Sequence, residues 1–175
     1  MKINLFKYFL FFFVFLFLVI FYLSVIGIET KKFNNQIIEK VTKIDKNLNI
    51  KLDKIKLTLD PINFQINAKT VGSLILYKNR PLELEYIKTQ ISLTSFIKNK
   101  ITSSNIKISS RSLLFTDFIT FVRAIKDTPQ LFIFQKTIKK GHIIFDLNVN
   151  FDEKGNVKND YQLKGVLKDL KINFF

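Results

Sequence analysis

The chain contains no cysteine and only one histidine, His142. Without cysteine it cannot form a disulfide bond or a thiolate metal site, and a single histidine cannot build a histidine-rich metal site. His142 follows Gly141 at the start of a predicted strand, which indicates a solvated side chain rather than a catalytic one. The sequence also lacks a glycine-rich phosphate loop. It therefore predicts no enzyme, no metal site and no cofactor.

The carboxylates do not form a catalytic pattern either. Glu83 and Glu85 alternate along a predicted strand, and we expect both to face solvent opposite lysines of a neighbouring strand. Asp152, Glu153 and Gly155 lack the ligand spacing of a calcium-binding EF-hand loop. This segment is instead typical of a hairpin turn.

Acidic residues are scarce: 14 Asp and Glu stand against 28 Lys and Arg, for a net charge of +14. Nearly all the basic residues are lysines, and they are scattered among hydrophobic residues. The joint abundance of Lys, Ile, Asn and Phe is typical of an A+T-rich genome, which explains the charge without any partner. Attraction to anionic lipid headgroups is a second explanation. Nucleic acid is not expected as a partner of a membrane-anchored chain.

Residues 8–28, YFLFFFVFLFLVIFYLSVIGI, form a long run without any charge. At about 1.5 Å of rise per residue, a helix of this run is about 30 Å long, the thickness of a bilayer's hydrocarbon core. The sequence thus predicts a transmembrane anchor over residues 1–29. A cleaved signal peptide is the alternative, with Val25 and Gly27 at the cleavage site, although signal cores are usually only about 7–15 residues long.

The charges that flank the anchor disagree about its orientation. Lys2 and Lys7 favour a cytoplasmic amino terminus, whereas Lys31 and Lys32 on the other side oppose it. The positive-inside rule applies to short loops, and long domains cross membranes largely regardless of charge. We therefore expect residues 30–175 to form one domain outside the cytoplasmic membrane.

The next segments have the periodicity of helices. Residues 31–48 place apolar side chains three and four positions apart, which predicts an amphipathic helix that packs on a sheet or lies on the membrane. Residues 113–126 predict a second helix, and residues 94–100 a single helical turn. Residues 131–138 are ambiguous between helix and strand.

From Ile50 onward the apolar period is mostly two, which predicts antiparallel strands with one apolar and one polar face. The alternation is interrupted at Asp53-Lys54, as by a bulge, and slips near Tyr86-Ile87. Turns are predicted at Asp60-Pro61, at 78–81, at 152–156 and at Lys168-Asp169. We therefore predict an α+β fold in which an N-terminal transmembrane helix precedes a twisted antiparallel β-sheet. The sheet forms an open groove or half-barrel and has two or three flanking helices.

The last predicted strand stops at Phe174-Phe175 with an open edge. We expect that further strands follow in a longer protein, which would make domain 30–175 truncated at its C-terminal end, or that a partner supplies them.

This order of features resembles the N-terminal region of AsmA-like proteins. These are bacterial envelope relatives of TamB and YhdP and of the chorein-type bridge-like lipid transfer proteins. The resemblance rests on the anchor with ETKKFNNQIIEKV, on ISLTSFIKNKITSSNIKI at 91–108 and on the paired strands of GHIIFDLNVNFDEKGNVKNDYQLKGVLKD at 141–169. Members of that family are usually several times longer, so this chain would form only the membrane-proximal start of a groove.

The resemblance implies a single-pass protein of the bacterial inner membrane, with its β-rich domain in the periplasm. It implies phospholipid transport or outer-membrane lipid homeostasis, with membrane lipids as partners bound on an apolar β-groove. The predicted lipid-groove residues are Ile62, Phe64, Ile66, Leu82, Leu84, Tyr86, Phe145, Leu147 and Val149. The same alternation also builds an ordinary closed core. The alternative function is therefore a non-enzymatic scaffold that pairs with another envelope protein at its C-terminal sheet edge.

Overall fold

The computed structural model describes residues 2–94, 103–152 and 157–173. These residues form four helices, which are α1 (Lys2–Val25), α2 (Asn34–Ile44), α3 (Phe115–Ile125) and α4 (Pro129–Thr137). They also form ten strands: β1 (Ile28–Thr30), β2 (Leu48–Lys51), β3 (Ile55–Asp60), β4 (Gln65–Val71), β5 (Leu74–Tyr77), β6 (Arg80–Ser92), β7 (Ser103–Ser110), β8 (Leu113–Leu114), β9 (Ile138–Asn150) and β10 (Gln162–Ile172).

Helix α1 forms most of the anchor predicted over residues 1–29 but ends at Val25, and Ile28 and Glu29 belong to β1 instead. Its segment Phe6–Val25 is long and apolar enough to cross a membrane, and none of that segment is buried inside the protein. The amides of Ile26 and Gly27 both donate to the Tyr22 carbonyl, at 2.9 and 3.1 Å, and end the helix. Strand β1 begins at the next residue, so the helix leads directly into the sheet.

All ten strands belong to one open antiparallel sheet. Its main path runs β1-β3-β4-β6-β7-β9-β10, while β5 joins β6, β2 joins β5 and β8 joins β9. The long strand β6 pairs along one edge with both β5 and β4, its first four residues with β5 and its last seven with β4. This confirms the α+β class and the antiparallel sheet. Three helices besides α1 lie beside it in the described ranges.

A corner in the sheet lies where β4 gives way to β5. Gly72 and Ser73 connect the two strands, and the Thr70 and Ser73 hydroxyls form a buried hydrogen bond of 2.6 Å. On the adjacent strand, Leu84 and Tyr86 face consecutive residues of β7, which leaves Glu85 as a β-bulge. The predicted slip of alternation near Tyr86-Ile87 is confirmed by this bulge.

The groove candidates Ile62 and Phe64 were expected on a strand of the sheet, but strand β4 starts only at Gln65. Residues 61–64 form a turn, because the Asp60 carboxylate accepts hydrogen bonds from the backbone amide and the side-chain Nδ2 of Asn63, at 3.0 and 2.9 Å. Phe64 adopts a φ of +51° within this turn. The prediction of a strand from the alternation of Ile62 and Phe64 was therefore wrong.

Two other predicted irregularities have a different form. Asp53-Lys54 lies in a break between β2 and β3, not a bulge, and Asn34 Nδ2 secures it by donating to the Leu52 and Asp53 carbonyls at 3.2 and 2.7 Å. The turn predicted at Lys168-Asp169 is an irregularity inside β10, where the pairing with β9 shifts register.

The predicted helices are shorter than their patterns, and the ambiguous segment 131–138 falls mainly in α4. Thr128 caps α4 by accepting a hydrogen bond from the Leu131 amide, and Pro129 occupies its first turn. The predicted helical turn at 94–100, the hairpin turn at 152–156 and the end at Phe174-Phe175 lie mostly or wholly outside the described residues.

Gly27 provides a test of the junction between anchor and sheet. Its φ is +73°, and a Cβ at this position would overlap the Leu57 carbonyl oxygen and come within 2.6 Å of Thr58 Cγ2. We expect Gly27→Ala to lower the free energy of unfolding by about 1–3 kcal/mol, since it combines left-handed strain with a backbone clash. Urea unfolding of the full chain in detergent, followed by circular dichroism, measures this. Gly165→Ala, which meets only one atom at 3.8 Å, is the control. Equal effects would show that the junction is not tight.

Candidate functional site

The candidate site is the apolar face of the sheet. Strand register aligns its residues in rows that cross the strands. One row contains Ile28, Leu57, Ala68, Thr89, Ile106 and Val149. Leu59, Ile66 and Ile91 form the next row. The residues of these two rows that lie on β3, β4, β6, β7 and β9 are called the outer strip: Leu57, Leu59, Ile66, Ala68, Thr89, Ile91, Ile106 and Val149. A third row, of Thr30, Ile55, Thr70, Ile87, Ile108, Leu147 and Leu163, lies on the other side of the first.

Helix α3 covers one end of this face. Phe121 of α3 is buried with Leu82, Leu84 and Phe145, and Leu84 is fully enclosed with 0% exposure. The Phe118 ring also lies 5.4 Å from the Phe145 ring. A second buried cluster joins α3 to β9 through Phe115, Ile119, Ile138 and Ile143. These side chains form the closed hydrophobic core.

A polar network holds α3 against α4. Arg123 donates to both carboxylate oxygens of Asp127, at 2.7 and 2.9 Å, and also to the side-chain oxygen of Gln135. Gln135 in turn donates to the Thr120 hydroxyl at 3.2 Å. The hydrogen bond from Arg123 lowers the pKa of Asp127, and the same pairing raises the pKa of Arg123. The two helices are thereby fixed as one cover.

The outer strip lies beyond this cover. The principal contacts of α3 are with β5, β6, β8 and β9, so in the described residues it covers the opposite end of the face. Most of the strip's side chains are half-buried, and Ala68 is buried. The hydroxyl of Thr89 is satisfied by donating to the Asn105 carbonyl at 2.9 Å. The strip is therefore an uncharged, largely aliphatic surface that suits hydrocarbon.

The predicted groove residues fall into three groups. Leu82, Leu84 and Phe145 belong to the closed core under α3. Ile66, Leu147 and Val149 are half-buried on the apolar face. The third group, Ile62, Phe64 and Tyr86, does not lie on the apolar face.

Ile62 and Phe64 occupy the exposed turn before β4, at 87% and 68% exposure. Tyr86 is paired with Val71 and Ser109 on the opposite face, because the Glu85 bulge shifts it by one position. The structure thus does not bring these three side chains together with the other candidates.

Several residues of the outer strip are absent from the set of groove residues predicted from the sequence. They are Leu57, Leu59, Ala68, Thr89, Ile91 and Ile106. Their alternation was visible in the sequence, including the series that resumes at Ile87 after the slip. The alignment of that series with β3 and β7 depends on register, which the sequence pattern alone does not supply.

The residues considered for catalysis, Glu83 and His142, are not part of the outer strip. Glu83 is exposed, with Oε2 3.9 Å from Arg111 Nη1, so its cationic neighbour is an arginine and not the expected lysine. His142 lines a surface depression of about 420 Å³ with Lys139, Lys140 and Lys171. A second depression of about 420 Å³ lies beside Arg123. Among the residues that the structure describes, no three His, Asp or Glu side chains form a group able to hold a metal ion.

Comparison of the chain with protein-family models, with curated proteins and with solved structures finds no match. The resemblance to AsmA-like proteins therefore stays a prediction from sequence patterns. The site must be interpreted from its own geometry.

Two leucines of the apolar face test the division between the closed core beneath α3 and the exposed edge of the sheet. We expect Leu84→Ala to lower the free energy of unfolding by about 2–5 kcal/mol, because it leaves a cavity under α3. Leu163→Ala should change it by less than about 1 kcal/mol, since that side chain is 62% exposed on the edge strand. Urea titration in detergent measures both. Equal losses would contradict the placement of the core beneath α3.

Proposed function

We propose that this chain is a membrane-anchored lipid-binding protein that holds acyl chains on the outer strip of its sheet. Its role would be phospholipid transport or outer-membrane lipid homeostasis in a bacterial envelope. In this proposal α1 is the single membrane span in the inner membrane and residues 30–175 lie in the periplasm. Membrane lipids are its partners, no catalysis is involved, and the chain belongs with the AsmA-like proteins.

One observation carries the proposal: the apolar face continues past its helical cover and reaches the base of the membrane helix. The row of the outer strip begins beside Ile28, three residues after α1 ends at Val25. From there it crosses β3, β4, β6 and β7 to Val149 on β9. A hydrocarbon chain leaving the bilayer beside α1 would meet an apolar surface without an intervening charge.

The dimensions agree with this use. Six strands at about 4.8 Å spacing make the row about 24 Å long, whereas one leaflet of hydrocarbon is about 15 Å deep. An acyl chain therefore fits along the row. Each methylene removed from water contributes about 0.8 kcal/mol, so several methylenes against half-buried aliphatic side chains would hold a lipid in place.

A scaffold function is the second candidate, and strand β10 favours it. In the described residues β10 pairs on one edge only, with β9, and leaves eleven residues of backbone on its other edge. Leu163 and Leu167 are exposed on one face of β10 and Val166 is exposed on the other. Another envelope protein could add a strand there, because unpaired edges recruit strands.

Photo-crosslinking tests the lipid function. The full chain would be reconstituted with a phospholipid that carries a photoreactive group in its acyl chain, and crosslinked peptides would be mapped by mass spectrometry. We expect crosslinks in α1, which faces lipid, and also in the peptides that contain Ile106 and Val149. Val149→Asp should reduce sheet crosslinks several-fold because it places a charge in the strip.

Val71→Asp is the matched control, since Val71 is exposed on the opposite face. It should leave the sheet crosslinks unchanged. Crosslinks confined to α1 in a folded protein would reject lipid binding by the strip and leave the scaffold function. Circular dichroism of both variants separates loss of lipid from loss of fold.

A further inference from the structure

The face of the sheet opposite α3 carries four lysines in one row. Lys56, Lys69, Lys88 and Lys107 lie on β3, β4, β6 and β7, and each is the direct register partner of the next. With strands about 4.8 Å apart, the row is about 14 Å long. Lys88 is half-buried and the other three are exposed. We call this set the lysine row.

Neighbouring carboxylates do not neutralise the row. Glu29 lies opposite Lys56 in register, but its Oε2 is 3.5 Å from Lys54 Nζ. Asp146 lies one row away on β9, opposite Lys164. Across the described ranges, none of the four lysines forms an ion pair.

The polar residues beside the row are neutral amides. Asn67, Gln90, Asn105 and Asn150 are aligned on the same four-strand register. Asn105 Nδ2 donates to the side-chain oxygens of Asn148 and Asn150, at 2.5 and 2.6 Å. Asn150 Nδ2 also donates to Asp160 Oδ2 at 3.0 Å, so one carboxylate adjoins the amides, but it forms no ion pair with any of the four lysines. The amides themselves add no negative charge.

Like charges directly opposite on neighbouring strands destabilise a sheet. The lysine row places three such pairs in succession, so their repulsion lowers the stability of the sheet until an anionic partner neutralises them. A planar array of negative charge would relieve all three repulsions together. The row thus has the charge and the extended shape that complement an anionic surface.

The membrane anchor brings such a surface close. Glu29, at the end of the row, follows Val25 by four residues, which is at most about 14 Å of extended chain. The headgroup layer on each side of a bilayer is about 5–8 Å thick. We propose that the lysine row binds the anionic phospholipid headgroups of the bilayer that α1 crosses, and that this contact sets how the sheet lies against the membrane.

This proposal depends on the anchor and not on lipid binding by the outer strip, which lies on the other face. The chain has no cysteine, so one introduced cysteine provides a unique label. Gln162→Cys is exposed and stands in the register of the row, two strands beyond Lys107. Energy transfer from a donor on this cysteine to headgroup-labelled lipids, in nanodiscs that hold the full chain, reports the approach of this face to the bilayer.

We expect transfer to be higher in phosphatidylglycerol-rich discs than in pure phosphatidylcholine discs, and to fall to the phosphatidylcholine level at high salt. Each lysine removed should weaken docking about fivefold. The variant with all four lysines of the row changed to Gln should therefore lose the difference between lipids. A donor at Lys126→Cys, beside α3 on the opposite face, should show no such increase.

A charge-matched variant, with Lys46, Lys126, Lys139 and Lys158 changed to Gln, keeps the row and should behave as the parent chain. Folding is monitored separately: Lys88→Gln should not lower the thermal midpoint in neutral detergent, because it removes repulsion on both sides. Equal transfer in both lipids would overturn the proposal, as would an equal loss in the two quadruple variants. Acyl-chain crosslinks at Val149 should persist in the variant that lacks the four lysines of the row. Failure of headgroup binding by the lysine row can therefore be distinguished from failure of lipid binding by the outer strip.

Discussion

The apolar face of the sheet must be shielded from water, but the helices that cover it are shorter than the face itself. Helix α3 has eleven residues and is about 16 Å long. Strands β6 and β9, which carry both the core and the outer strip, each have thirteen residues and are about 43 Å long. Buried clusters therefore form where α3 and α4 meet β6 and β9, and the outer strip beyond them is only half-buried. The closed core and the candidate site are two parts of the same surface, separated by the reach of one helix.

The bulge at Glu85 determines what each face of the sheet displays. Because a one-residue shift exchanges the two faces of a strand, an unbulged β6 would turn Ile87 and Ile91 away from the helices. Lys88 would then point into the apolar face. With the bulge, Ile87 continues the surface begun by Leu84, and Lys88 aligns with Lys69 and Lys107. The apolar strip and the lysine row thus have a common local cause.

Periodicity sufficed to predict the features that depend on neighbouring residues: the apolar helix, the amphipathic strands and the slip near Tyr86. It failed where a side chain competes with the pattern, as when Asp60 and Asn63 close a turn over the alternation of Ile62 and Phe64. It also could not separate groove from core, since Leu84 and Val149 have equivalent patterns and differ only in whether α3 lies above them. The cap Thr128 and Pro129 in the first turn of α4 are local features that would have resolved the ambiguity of segment 131–138, but the prediction did not use them.

The two proposals assign the acyl chain and the headgroup of a phospholipid to opposite faces of one sheet. An acyl chain on the outer strip and a phosphate on the lysine row would therefore belong to different lipid molecules. Ile28 and Glu29 are adjacent in β1, so both surfaces begin at the same short strand that follows the anchor. An interaction of the lysine row with headgroups would fix the side on which the sheet meets the bilayer. The outer strip would then face away from that contact, and a lipid would reach it only around the edge at β1, next to α1.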